Sequence, residues 1–264
     1  MSASIQAPFV RRLVAEALGT GLLVTVVVGS GIAAATLSPG DVGLQLLENA
    51  LATAAGLAVI IMLTQRVSGA HLNPVVSLAD GWIGRRSGSG LGLAHVGTYA
   101  AVQIVGAILG ACLANLMYHM PAVTLSTTTR DGGHLLLSEI VATAGLVALI
   151  LGLARSGRAA VIGPAVGAYI GAAYWFTAST SFANPAVTIG RMFSDTFAGI
   201  APSSVPPFIA AQLAGGVLGV DVAIFLHPET ATEYDKTAAS SHNSGTDTLW
   251  FPRNRGSRLR LLLG

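Results

Sequence analysis

Six apolar stretches run along the chain, at residues 12–34, 44–65, 93–118, 134–154, 160–179 and 205–226, with polar segments between them. Each is about 20 residues, enough for an α-helix to cross a hydrocarbon core roughly 30 Å thick. The few polar positions inside the apolar pattern recur in order. Glu16, Asn73-Pro74 and Gln103 mark the first half; Glu139, Asn184-Pro185 and Gln212 mark the second. Gln follows Asn by 30 residues in one half and by 28 in the other. Three spans per half is an odd number, so the second copy enters the membrane from the opposite face. The pattern predicts an all-α membrane protein built as an inverted repeat.

Composition supports this reading. Hydrophobic residues make up 52% and charged residues 10%, against about 25% charged in soluble domains. Mean hydropathy is +0.67. The first apolar run is too long for a cleavable signal, and it continues into the repeat. Cys112 is the only cysteine and reads as a small hydrophobe in helix packing.

Charge placement sets an expected orientation. With the N-terminus in the cytoplasm, Arg11, Arg12, Arg66, Arg85, Arg86, Arg155 and Arg158 fall inside, as do Lys236, Arg253, Arg255, Arg258 and Arg260. Only Arg130 and Arg191 fall outside, so both termini are expected in the cytoplasm of a cell inner (plasma) membrane protein.

Gly106 and Gly110, then Gly163, Gly167 and Gly171, then Gly215, Gly216 and Gly219 give the spans a small-residue texture suited to close helix packing. The segments Ser68–Val75 and Ser179–Ala186 are different. Each runs through irregular approach residues to an Asn, a good N-cap, and then a Pro suited to the first helical position. The apolar runs that follow, 75–83 and 186–193, cross only half a membrane. They are read as re-entrant half-helices. Irregular backbone at membrane depth survives only when buried in protein or lining water, so the two segments should meet along one narrow path. Its centre would carry two Asn amides and the positive ends of two half-helices, about +0.5 each, which suits neutral hydroxylated solutes and repels cations.

On these motifs the chain resembles the aquaporin superfamily, the major intrinsic proteins, over about residues 10–228, with Val75 in place of the usual Ala. The resemblance implies six transmembrane helices with two re-entrant half-helices, and no enzymatic activity. Asn73 and Asn184 would be the pore asparagines within the motifs Asn73-Pro74-Val75 and Asn184-Pro185-Ala186. His71 would line the pore. Glu16 and Glu139 would brace the loops as buried structural groups, with Gln103 and Gln212 as polar packing partners. Ungapped spacing places the selectivity filter at Thr53, Ala172, Ser181 and Val187. The last replaces the family's usual Arg, giving a wide filter without a fixed cation.

Similarity to bacterial members with this Val points to metalloid hydroxides and arsenicals, alongside glycerol-like polyols and water. A general water and glycerol facilitator and a proton-coupled secondary transporter are the alternatives. Arg191, one helical turn beyond Val187, is a candidate vestibule charge; the plainer reading pairs it with Asp195 at the interface.

The expected organisation is a cytoplasmic N-terminus (1–10) and an aquaporin-like channel domain (11–228), followed by a disordered cytoplasmic tail (229–264). Within the channel domain, repeat one is 11–118 and repeat two 134–228. The expected partners are small neutral solutes, the lipid bilayer and, by resemblance, further copies in a homotetramer. The chain offers no pattern for a cofactor, metal or nucleic acid.

Overall fold

A computed structural model describes residues 7–87 and 90–228. The tail expected over 229–264 and the first residues of the N-terminus lie outside the described residues. Among the described residues there are eight α-helices: α1 (Phe9–Leu37), α2 (Val42–Ser68), α3 (Pro74–Ser87), α4 (Leu93–Met117), α5 (Gly133–Arg155), α6 (Ile162–Phe176), α7 (Pro185–Arg191) and α8 (Val205–Leu226). Six are long and apolar enough to cross a membrane; short 3₁₀ turns extend the starts of the fifth and sixth spans. The remaining two, α3 and α7, begin at the prolines of the two Asn-Pro motifs.

Helix ends follow local chemistry. Asp41 caps α2 by accepting the Leu44 N–H at 2.9 Å. At its other end Gly69, with φ +93°, takes the left-handed turn that stops the helix. The fifth apolar stretch runs to 179, but α6 ends at Phe176 because Thr177 turns extended. That turn starts the approach to Asn184.

The spans pack through small residues in matched pairs. A Cβ on Gly106 or Gly110 of α4 would strike the Ala17 or Gly21 carbonyl of α1. In the second half, Gly215 and Gly219 of α8 stand in the same relation to Ile140 and Ala144 of α5. Apolar helices gain little from association in lipid, so close backbone approach supplies the dispersion contacts that hold them together. Outward faces carry Leu18, Leu63, Leu109 and Phe225, a surface matched to hydrocarbon.

The candidate pore

Each half builds its segment of the pore around one buried carboxylate. Glu16 of α1 accepts the His71 N–H at 3.0 Å and the Leu72 N–H at 2.7 Å. It also accepts the Ser68 hydroxyl at 2.6 Å and the Gln103 amide at 2.8 Å. Glu139 of α5 accepts the Phe182 and Ala183 N–H groups at 2.9 and 2.8 Å, and the Gln212 amide at 2.7 Å. The two glutamines reach on to Ser77 and Thr188, the first-turn hydroxyls of the half-helices. Both carboxylates are fully buried. Such a group is tolerated because its oxygens are satisfied by fixed donors. It holds a backbone that would otherwise have no reason to stay extended.

That backbone is shaped by left-handed residues. Ala70 and Leu72, the third and first before Asn73, have φ of 52° and 50°. Ser181 and Ala183, in the same places before Asn184, have 51° and 47°. Non-glycine residues adopt this region at a cost, and the carboxylate bonds maintain it here.

The half-helices meet through their asparagines. Asn73 Oδ1 accepts the Val75 N–H at 2.9 Å, and Asn184 Oδ1 accepts the Ala186 and Val187 N–H groups at 3.0 and 3.3 Å. Asn73 Nδ2 donates to the Ala183 carbonyl at 2.8 Å, and Asn184 Nδ2 donates to the Leu72 carbonyl at 2.7 Å. Each half is thus pinned to the other. An amide nitrogen has two hydrogens, so each asparagine retains a second donor beyond this bond.

A cavity of about 260 Å³ passes this meeting point. Its wall includes Asn73 and Asn184, with His71 and Asp80 from the first half-helix segment, Thr53 from α2, and Ser181, Val187 and Arg191 from the second half-helix segment. Pro74, Val75, Pro185 and Ala186 stand behind the wall as buried first-turn residues. Leu23, Leu57, Ile61 and Leu146 make much of the remainder aliphatic.

Two expectations need correction. Ala172 is exposed and does not line the cavity; Ile170 and Tyr174 do. On a helix the residues two before and two after share the opposite face, so a spacing error of two turns the side chain away. Arg191 does not pair with Asp195, which accepts the Thr127 N–H at 2.9 Å. It turns inward, only 2% exposed, donates to the Ala198 carbonyl, and lies 3.4 Å from the Phe182 ring centroid. Arg130 reaches the same ring at 5.1 Å. Burial lowers the Arg130 pKa, and the Glu139 charge opposes the shift.

Three cavity residues, Tyr174, Phe182 and Asp80, had no assigned role from sequence. Tyr174 and Phe182 are aromatics close to the second motif, a signal that spacing alone did not separate from packing. Cys112 is half-buried on α4 and is not part of the cavity wall.

A membrane body with two half-helices capped by asparagine and cross-pinned at a central cavity defines a channel rather than an enzyme. The major intrinsic protein family model matches residues 3–182, and the chain belongs to that family. The match stops just short of Asn184; the hydrogen bonds above show how the second motif is built. Among relatives, the aquaglyceroporin AqpS of Rhizobium meliloti is 50% identical over 78% of this chain and 86% of its own length. Aquaporin NIP1-1 of Oryza sativa is 30% identical over 80% and 72%. The X-ray structure of the Plasmodium falciparum aquaglyceroporin matches the fold with a TM-score of 0.63 at 22% identity, covering 87% of this chain and all of that one.

Proposed function

We propose that the chain is an aquaglyceroporin-type channel for water and glycerol-like solutes, with an outer constriction wide enough for neutral metalloid hydroxides such as arsenite. The observation that carries this reading is Val187. It lies three residues after Asn184, on the wall of the cavity that the small residues Thr53 and Ser181 also line. No long side chain narrows the cavity from that position.

Asn73 and Asn184 act as central donors to a passing hydroxyl, and His71 lines the inner half. The cation absent at 187 is supplied one turn outward by Arg191. Its clamp on Phe182 holds it in the wall and keeps it from crossing the path. A positive wall and two facing helix N-termini disfavour cations while leaving neutral solutes unhindered. Glu16 and Glu139 are fully engaged with backbone and side-chain donors, which supports a passive channel over a proton-coupled transporter.

Both termini are cytoplasmic in this reading, in the plasma membrane, as the arginine distribution favours. The protein assembles as a homotetramer, in keeping with the family, and the tail beyond residue 228 stays in the cytoplasm.

Stopped-flow liposome assays with water, glycerol, urea, arsenite and methylated arsenicals test this. Glycerol and arsenite fluxes well above empty liposomes, unaffected by a protonophore, are expected. Water flux alone would reject the wide constriction.

A further inference from the structure

A second cavity, of about 400 Å³, adjoins the first at His71 and Asp80. Its wall gathers Arg12 from the start of α1, Arg66 from the end of α2 and His95 from the first turn of α4, as well as His71. Asp80 is the one acidic residue on that wall, and it is already committed. Its Oδ2 accepts the Leu91 N–H at 2.8 Å and lies 3.9 Å from His71 Nε2. Against this single carboxylate stand two permanent guanidinium charges and two imidazoles that can add to them.

Two of the basic groups are held in place. Arg12 Nε donates to the Tyr99 hydroxyl at 2.9 Å, and its guanidinium carbon lies 5.5 Å over the Tyr99 ring. Tyr99 is fully buried and gives its own hydrogen to the Ser68 carbonyl at 3.0 Å. The His95 ring rests against Phe9, with centroids 4.3 Å apart. Neither Arg66 nor His95 uses a side-chain nitrogen in a hydrogen bond or ion pair among the described residues.

We infer that this cavity is a binding site for a phosphate group, held by Arg12, Arg66 and His95. Charge favours phosphate over a carboxylate: a phosphate monoester carries about −1.5 to −2 at neutral pH, and a carboxylate only a single charge. A guanidinium also offers a planar fork of donors that matches phosphate oxygens. In the proposed orientation the cavity lies on the cytoplasmic side. There the group comes from a free phosphate or ester, or from an anionic lipid head group. A bound phosphate would sit next to the solute path, beside the shared residues His71 and Asp80.

The test is thermal unfolding of the detergent-purified full chain with inorganic phosphate or phosphatidylglycerol added, against sodium chloride at matched ionic strength. Wild type is compared with Arg66→Gln and His95→Asn, both at exposed positions whose side chains leave no internal hydrogen bond unmade. A ligand at ten times its Kd raises the melting temperature by roughly 4 °C in a body of this size. Losing one charge-assisted hydrogen bond weakens binding about ten-fold, so each variant should keep roughly a third of that rise. This pattern with inorganic phosphate is the expected result and identifies a free phosphate or ester. A rise confined to phosphatidylglycerol, and reduced in the same variants, supports the site and identifies a lipid head group. Equal rises in wild type and variants mark a general ion or lipid effect and overturn the proposal, as does no rise with either ligand. No flux is measured, so the outcome does not depend on the proposed channel function.

Discussion

The two halves use one frame to hold two different mouths. Counting from each asparagine, the frame repeats position by position. The carboxylate accepts the N–H groups one and two before Asn, the left-handed residues sit one, three and four before it, and the Gln reaches the hydroxyl four after it. The residue two before Asn contacts the residue seven after it in both halves. In the first half this is His71 against Asp80, with Nε2 and Oδ2 3.9 Å apart. In the second it is Phe182 against Arg191. One mouth therefore carries a carboxylate and the other a guanidinium, from equivalent places. The backbone frame is under strain and admits little change, whereas the contact from two before to seven after carries whichever charge the mouth needs.

The frame gives the largest expected effect. In Glu139→Gln the new amide sets its NH₂ against the Phe182 N–H in one orientation and against the Ala183 N–H and the Gln212 amide in the other, placing donor against donor either way. Removing one partner of such a buried charged network costs about 3–5 kcal/mol. That corresponds to a fall in melting temperature of roughly 10 °C for a body of this size. Glu16→Gln should match it in purified protein followed by thermal unfolding, since the two braces are alike. A large gap between the variants would break the equivalence.

A smaller effect separates the mouths. Arg191 is buried beside the path, where a charge is weakly screened, so Arg191→Ala should raise cation conductance on the order of tenfold. Asp80 is 40% exposed, and water and salt screen it. Asp80→Asn should change cation conductance by less than about two-fold. Planar-bilayer recording of both variants checks this, and equal effects would mean that exposure does not set the difference.

Much of the frame was legible because it depends on residue types that apolar helices rarely contain. A Glu, an Asn-Pro and a Gln stand out in a hydrophobic span, and their repeated order revealed the inversion. Half-helix boundaries were off by a few residues: α3 continues to Ser87 and α7 stops at Arg191. The mouths were less legible. Counting back from Asn184 without a gap arrived at Ala172, because the count cannot register that the chain leaves α6 at Thr177 and follows a brace-held path to the motif. Tyr174 sits two residues on and faces the cavity. Arg191 was recognised as a charge near the second mouth, but its inward turn depends on Phe182 and Ala198, which come together only in three dimensions. Asp80 carried no signal, since its partner His71 was already assigned to the wall.

The proposed constriction without an arginine at position 187 is tested most directly by Val187→Arg, with arsenite, glycerol and water fluxes measured in the same liposomes. A guanidinium at 187 would narrow a cavity whose neighbours Thr53 and Ser181 are small, leaving passage for water. Arsenite and glycerol fluxes are expected to fall several-fold more than water flux. If all three fall in the same proportion, Val187 does not set the width of the path, and the wide-pore reading is wrong.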